Sequence, residues 1–148
     1  LVSRPFSLER DDVNQQDENG NTLLHFAAEM GLVDVVRMLL PKAKDPNKEN
    51  QNGSSPIMAA IRARHLDVAM MLLPWVRDVN QCDCSGQTLL HLAAPLPWLE
   101  LVRGLLDRNC DVNKQDINGK TPIMLAEQSG YHGVADMMRV RLRSCQLK

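Results

Sequence analysis

The chain has 148 residues, a formal net charge of −1 and 24 % charged residues, a balance that gives no reason to expect nucleic acid or an anionic membrane as partner. Only 3 % of the residues are aromatic, so platforms for stacking bases are scarce. No apolar run is long enough to cross a bilayer, no signal-peptide pattern is present, and the length suits one domain.

Taken in chain order, the sequence is an array of four units in phase. Asn19-Gly20, Asn52-Gly53, Ser85-Gly86 and Asn118-Gly119 recur every 33 residues, without insertion or deletion. The segment ahead of the first of these pairs, residues 1–15, aligns with the end of a preceding unit, because Phe6 falls in phase with Leu39 and Leu72. Pro5 would interrupt a helix there, so residues 1–15 are read as an irregular N-terminal cap or the tail of a truncated unit. A start at Leu1 rather than Met is what a piece of a longer protein would show.

Each unit then opens on a tight turn, since glycine takes positive φ without strain. Two residues on, Thr22, Ser55, Thr88 and Thr121 suit helix N-caps, and Pro56 and Pro122 suit the first helical position. Small residues follow (Ala27-Ala28, Ala59-Ala60, Ala93-Ala94, Ala126) and let neighbouring helices approach closely. A second apolar run, "VDVVRMLL", "LDVAMMLL" or "LELVRGLL", has the spacing of one helix face. In the third unit Pro95 lacks the N–H that a continuing helix needs, which predicts a helix ending near Ala94 and a rigid bend presenting Leu96 or Trp98. The last unit carries Arg139 where earlier units have Leu40, Leu73 and Leu106, the polar finish that a terminal repeat needs.

The hairpin, the phrases "TLLHFAA" and "TLLHLAA", and the closing "DVN" (Asp12–Asn14, Asp78–Asn80, Asp111–Asn113) resemble the ankyrin repeat over nearly the whole chain. That resemblance implies an all-α fold, a solenoid of stacked helix-turn-helix units with protruding β-turn hairpins. The units are 16–48, 49–81, 82–114 and 115–147. The resemblance also implies that His25 and His91 are structural, tying hairpins by hydrogen bonds. Met58 and Met124 stand in their place in units two and four, which lose that tie. Ala43, Val76 and Asn109 replace the family's loop glycine, which predicts less regular loops.

By the same resemblance, function lies in binding a protein across hairpin tips and the exposed side of each first helix. The expected contacts are apolar anchors Met30, Leu96, Trp98 and Ile117, with Glu18, Glu29, Glu49 and Arg62 selecting among partners. Trp98 has a second reading, packing on its own scaffold at the start of the second helix. Family analogy suggests a kinase or transcription factor as partner; the chain is expected to be a monomer when unbound, and the cysteine pattern fits an intracellular setting, cytoplasmic or nuclear, better than a secreted one.

Neither a catalytic set nor a phosphate loop is legible, so the chain is not expected to be an enzyme and no cofactor is expected. Two other classes remain. The chain could be a targeting module of a larger multidomain enzyme. Alternatively, the basic tail "RVRLRSCQLK" and the four cysteines could serve nucleic acid or metal, although Cys82-x-Cys84 lacks the partner pair that zinc needs.

Overall fold

The computed structural model describes residues 12–146. The expectation of an N-terminal cap or truncated unit falls mostly outside them; of residues 1–15 only a short 3-10 turn, Asp12–Asn14, and Gln15 are described. The chain divides into two compact bodies, one reaching to Arg77 and one starting at Asp78.

The first body holds α1 (Leu23–Met30), α2 (Val33–Leu39), α3 (Pro56–Arg62) and α4 (Leu66–Leu72). The second holds α5 (Leu89–Ala93), α6 (Leu99–Asp107), α7 (Pro122–Gln128) and α8 (His132–Gln146). Among the described residues there is no strand, only an isolated bridge between Cys82 and Thr88, so the all-α expectation holds.

Local chemistry sets the helix starts. Thr22 accepts from the His25 N–H, Thr88 from that of His91, and Thr121 from that of Met124. Ser55 departs from the expectation: it stands at the N-cap of α3 but makes no side-chain cap bond. α5 stops at Ala93, after which Ala94–Pro97 form a turn in which the Leu96 N–H donates to the Ala93 carbonyl at 3.0 Å.

Within each body the helices stack in layers. First helices pack together, α1 on α3 and α5 on α7, and second helices likewise, α2 on α4 and α6 on α8. The cores are aliphatic: Leu24, Ala28, Val36, Ile57, Met58, Ile61 and Val68 in the first body, Leu89, Leu90, Leu101, Leu105 and Met138 in the second. The small residues do what their size allows, since Ala28, Ala60, Ala93 and Ala126 are all fully buried where first helices meet.

The loops after the second helices differ for a readable reason. Pro41 and Pro74 end α2 and α4 in 3-10 turns, Leu40–Lys42 and Leu73–Trp75, and Ala43 and Val76 then leave in extended conformation. The third unit has Asp107 in the proline's phase, its helix runs on, and Asn109 closes it at φ 60. Asn is among the few residues that take this left-handed conformation readily.

Candidate partner-binding surface

The hairpins are built on a side-chain bracket. Asp17 Oδ1 accepts from the amides of Asn19 and Asn21, each at 2.9 Å. Asn50, Asp83 and Asp116 repeat this with Asn52 and Ser54, Ser85 and Gln87, and Asn118 and Lys120. These four residues escaped the motif reading. Their signal is an Asp or Asn three positions before each turn glycine, and a side-chain oxygen there mimics a backbone turn. Burial alone would raise the Asp116 carboxyl; the Lys120 and Asn118 amides, the His91 ring and the Gln87 side chain together hold it below the ordinary range.

Neighbouring hairpins within a body are zipped. The Gln51 N–H donates to the Asn19 carbonyl and the Ile117 N–H to the Ser85 carbonyl, both at 2.9 Å. The first-helix histidines add a second tie. His25 Nδ1 accepts from the Thr22 amide at 3.0 Å, which leaves Nε2 protonated to donate to the Ser54 carbonyl at 2.8 Å. His91 repeats this on Thr88 and on the Lys120 carbonyl, at 3.1 and 2.9 Å. Met58 is fully buried in the same phase, and Met124 is exposed there. The "DVN" asparagines have a structural use as well: Asn14 accepts from the Lys44 amide, Asn47 donates to the Trp75 carbonyl, and Asn80 accepts from the Asp111 amide.

On this frame the first body displays five of the expected contact residues. Glu18 and Glu49 are exposed on the hairpins; Glu29 and Met30 are exposed at the end of α1, and Arg62 at the end of α3. Met30 is 65 % exposed, since α1 ends there on the left-handed Gly31. Glu29 and Arg62 line one polar cavity of about 310 Å³ together with Asn21, Asn50 and Ser54. Arg62 is steadied by donating to Ser54 Oγ at 2.7 Å.

The second body holds the other three. Ile117 is 75 % exposed at a hairpin tip, as expected of an apolar residue among polar neighbours. Leu96 is not presented by the bend: only 7 % of it is exposed, because the turn closed by its own N–H folds the side chain inward. Trp98 is half-buried at the N-cap of α6, where its carbonyl accepts from the Val102 N–H at 3.1 Å. That is the placement of its scaffold reading.

Two of the basic residues of the tail are ion-paired within the second body. Arg139 pairs with Glu127 and with Asp136, and Arg141 with Asp107 at 3.3 Å. Cys82, Cys84 and Cys110 are free thiols, and burial pushes the Cys110 thiol up to about 11. Among the described residues no three His, Cys, Asp or Glu side chains come together to hold a metal ion. No helix among them is long and apolar enough to cross a membrane.

A comparison with curated proteins finds no match. The family model "Ankyrin repeats (3 copies)" matches residues 5–81 and again residues 76–140. Repeats of this kind are in general protein–protein interaction modules and are typically not enzymes. Four turns in one period, zipped hairpins, helix pairs stacked in layers and a family match over most of the sequence lead to one conclusion: the chain belongs to the ankyrin repeat family.

Proposed function

We propose that this chain is a non-enzymatic regulator or adaptor that holds a partner protein against the hairpins and first helices of its first body. The observation that carries this reading is Met30, a large apolar side chain 65 % exposed at the end of α1, next in sequence to Glu29, which lines the polar cavity with Arg62. Large apolar side chains that become buried on association are the usual source of binding energy at protein interfaces, with polar groups at the rim. Glu18 and Glu49 on the hairpins supply charge for partner choice and speed of encounter. Ile117 offers a separate apolar contact on the second body. Leu96 drops out of the contact set, being buried, and Trp98 is kept only as a half-buried flank.

The test is affinity capture with the purified chain, comparing wild type with Met30→Glu, Arg62→Glu and Ile117→Ser. All three positions are exposed, so the variants should melt within a few degrees of wild type. Arg103→Ala, on the exposed side of α6, serves as control. The expected result is a protein retained by wild type and control and released by Met30→Glu and Arg62→Glu. If every captured protein survives all three substitutions, this surface is not the one used.

A further inference from the structure

The second helices are not of equal length. α2 and α4 stop at Leu39 and Leu72 and α6 stops at Asp107, but α8 runs 15 residues, from His132 to Gln146. Val140 stands 33 residues after Asp107, so from Val140 onward α8 has no counterpart on α6. Where α8 packs on α6, a groove of about 320 Å³ lies along their junction. Arg103 and Leu106 of α6 line it, with Gly133, Met137, Val140 and Arg141 of α8. Gly133, Met137 and Val140 recur at helical spacing and form one face of α8. Val140 is 64 % exposed there, above a buried Leu106. Gly133 keeps the wall open: a Cβ on it would meet only Leu99 Cδ2, at 4.0 Å.

The charge around this apolar groove is of one sign. Asp136 also lines it and is the one acid of α8, but Arg139 holds it at 2.9 Å. Arg141 reaches only the exposed Asp107, at 3.3 Å, a pair that solvent screens. Arg103 is exposed and has no ion pair among the described residues. Arg143 is exposed on the overhanging part of α8. One guanidinium therefore stands on the α6 side and another on the α8 side of an apolar channel. An apolar group with carboxylates to either side of it satisfies both.

We propose that the α6–α8 groove docks a short acidic segment of another protein, seating one large apolar side chain against Leu106, Met137 and Val140 and placing carboxylates on Arg103 and Arg141. The groove lies wholly within the second body, so this inference does not depend on the Met30 surface of the first.

Selection from a displayed library of random peptides, each about 12 residues long, on the purified full chain tests it. The expected ligands carry Leu, Ile, Met or Phe flanked by Asp or Glu. Val140→Asp and Gly133→Leu should each weaken them about tenfold or more. Arg103→Ala should weaken them several-fold, and affinity should fall as salt rises. The three positions are exposed and leucine forms helix better than glycine, so each variant should melt within a few degrees of wild type. Met30→Glu should leave these ligands bound. A selection that yields only peptides released by Met30→Glu, or none that respond to Val140→Asp, overturns the proposal. Neutral or basic peptides as the groove's ligands overturn it too. So does sedimentation of wild type with vesicles of phosphatidylserine and phosphatidylcholine that Val140→Asp abolishes, which would make the groove a lipid site.

Discussion

His25 reaches out of its own helix to the Ser54 carbonyl of the next hairpin at 2.8 Å, while its other ring nitrogen accepts from the Thr22 amide. One neutral imidazole thus caps α1 and joins two repeats. A protonated ring would present a donor to the Thr22 N–H and break the cap.

That arrangement makes stability depend on pH. Burial holds the His25 pKa below its ordinary 6.5, against the Ser54 carbonyl and the Asp17 carboxylate, which both favour the charged form. Above pH 6.5 the ring is neutral folded or unfolded, and its contribution is complete. As pH falls through 6.5 the unfolded chain takes up the proton first, so stability is lost from there down to the lower folded pKa. Urea titrations at pH 7.5 and 5.5 should show a larger loss for wild type than for His25→Gln. Equal losses in the two proteins would clear His25 of the effect.

Gly86 and Gly119 share a positive φ, +74° and +76°, but not their surroundings. A Cβ on Gly86 would stand 3.2 Å from both Asp116 Cα and the Ile117 nitrogen, backbone that cannot swing away; one on Gly119 would meet nothing within 4 Å. Alanine at either site carries the left-handed strain, about 1–2 kcal/mol. Gly86→Ala also pushes apart hairpins zipped by the Ile117–Ser85 bond, and should be the more destabilising by roughly 1 kcal/mol or more. Denaturant melts of the two variants measure the difference directly.

Arg64 occupies the phase of Gly31 and Gly130 and takes the same left-handed conformation, φ 67. A side chain there costs about 1–2 kcal/mol, partly returned because arginine leaves the unfolded chain fewer conformations than glycine would. Arg64→Gly should therefore stabilise by about 0.5–1 kcal/mol, a Tm rise of roughly 1–4 °C. A fall in Tm would show that the arginine side chain contributes more than its backbone strain costs.

The legible parts of this protein were those decided within a few residues of chain. A glycine at each turn and a hydroxyl two residues later recur four times at the 33-residue period, a proline at the first helical position twice, and all act through local backbone geometry. The end of α5 ahead of Pro95 was readable on the same terms. Even so, the hairpin bracket at Asp17, Asn50, Asp83 and Asp116 went unread, although its residues are adjacent to the turn.

Position among neighbours was not legible. Glu18, Glu29, Glu49 and Arg62 are exposed, as long charged side chains seldom find cover. Leu96 and Val35 are the opposite case. Leu96 lies in a turn and Val35 within α2, both aliphatic, and nothing local says which is covered. Leu96 is buried because a turn folds it inward, and Val35 is open because, among the described residues, no helix packs on α2 as α2 packs on α4 at Val68. Sequence by itself determined the unit, its period and three of its four hydroxyl caps, since those follow from torsion angles and hydrogen bonds along the chain; Ser55 stands at the fourth without a cap bond. Only the tertiary structure decided which apolar stripes are satisfied, because burial belongs to the neighbour as much as to the residue.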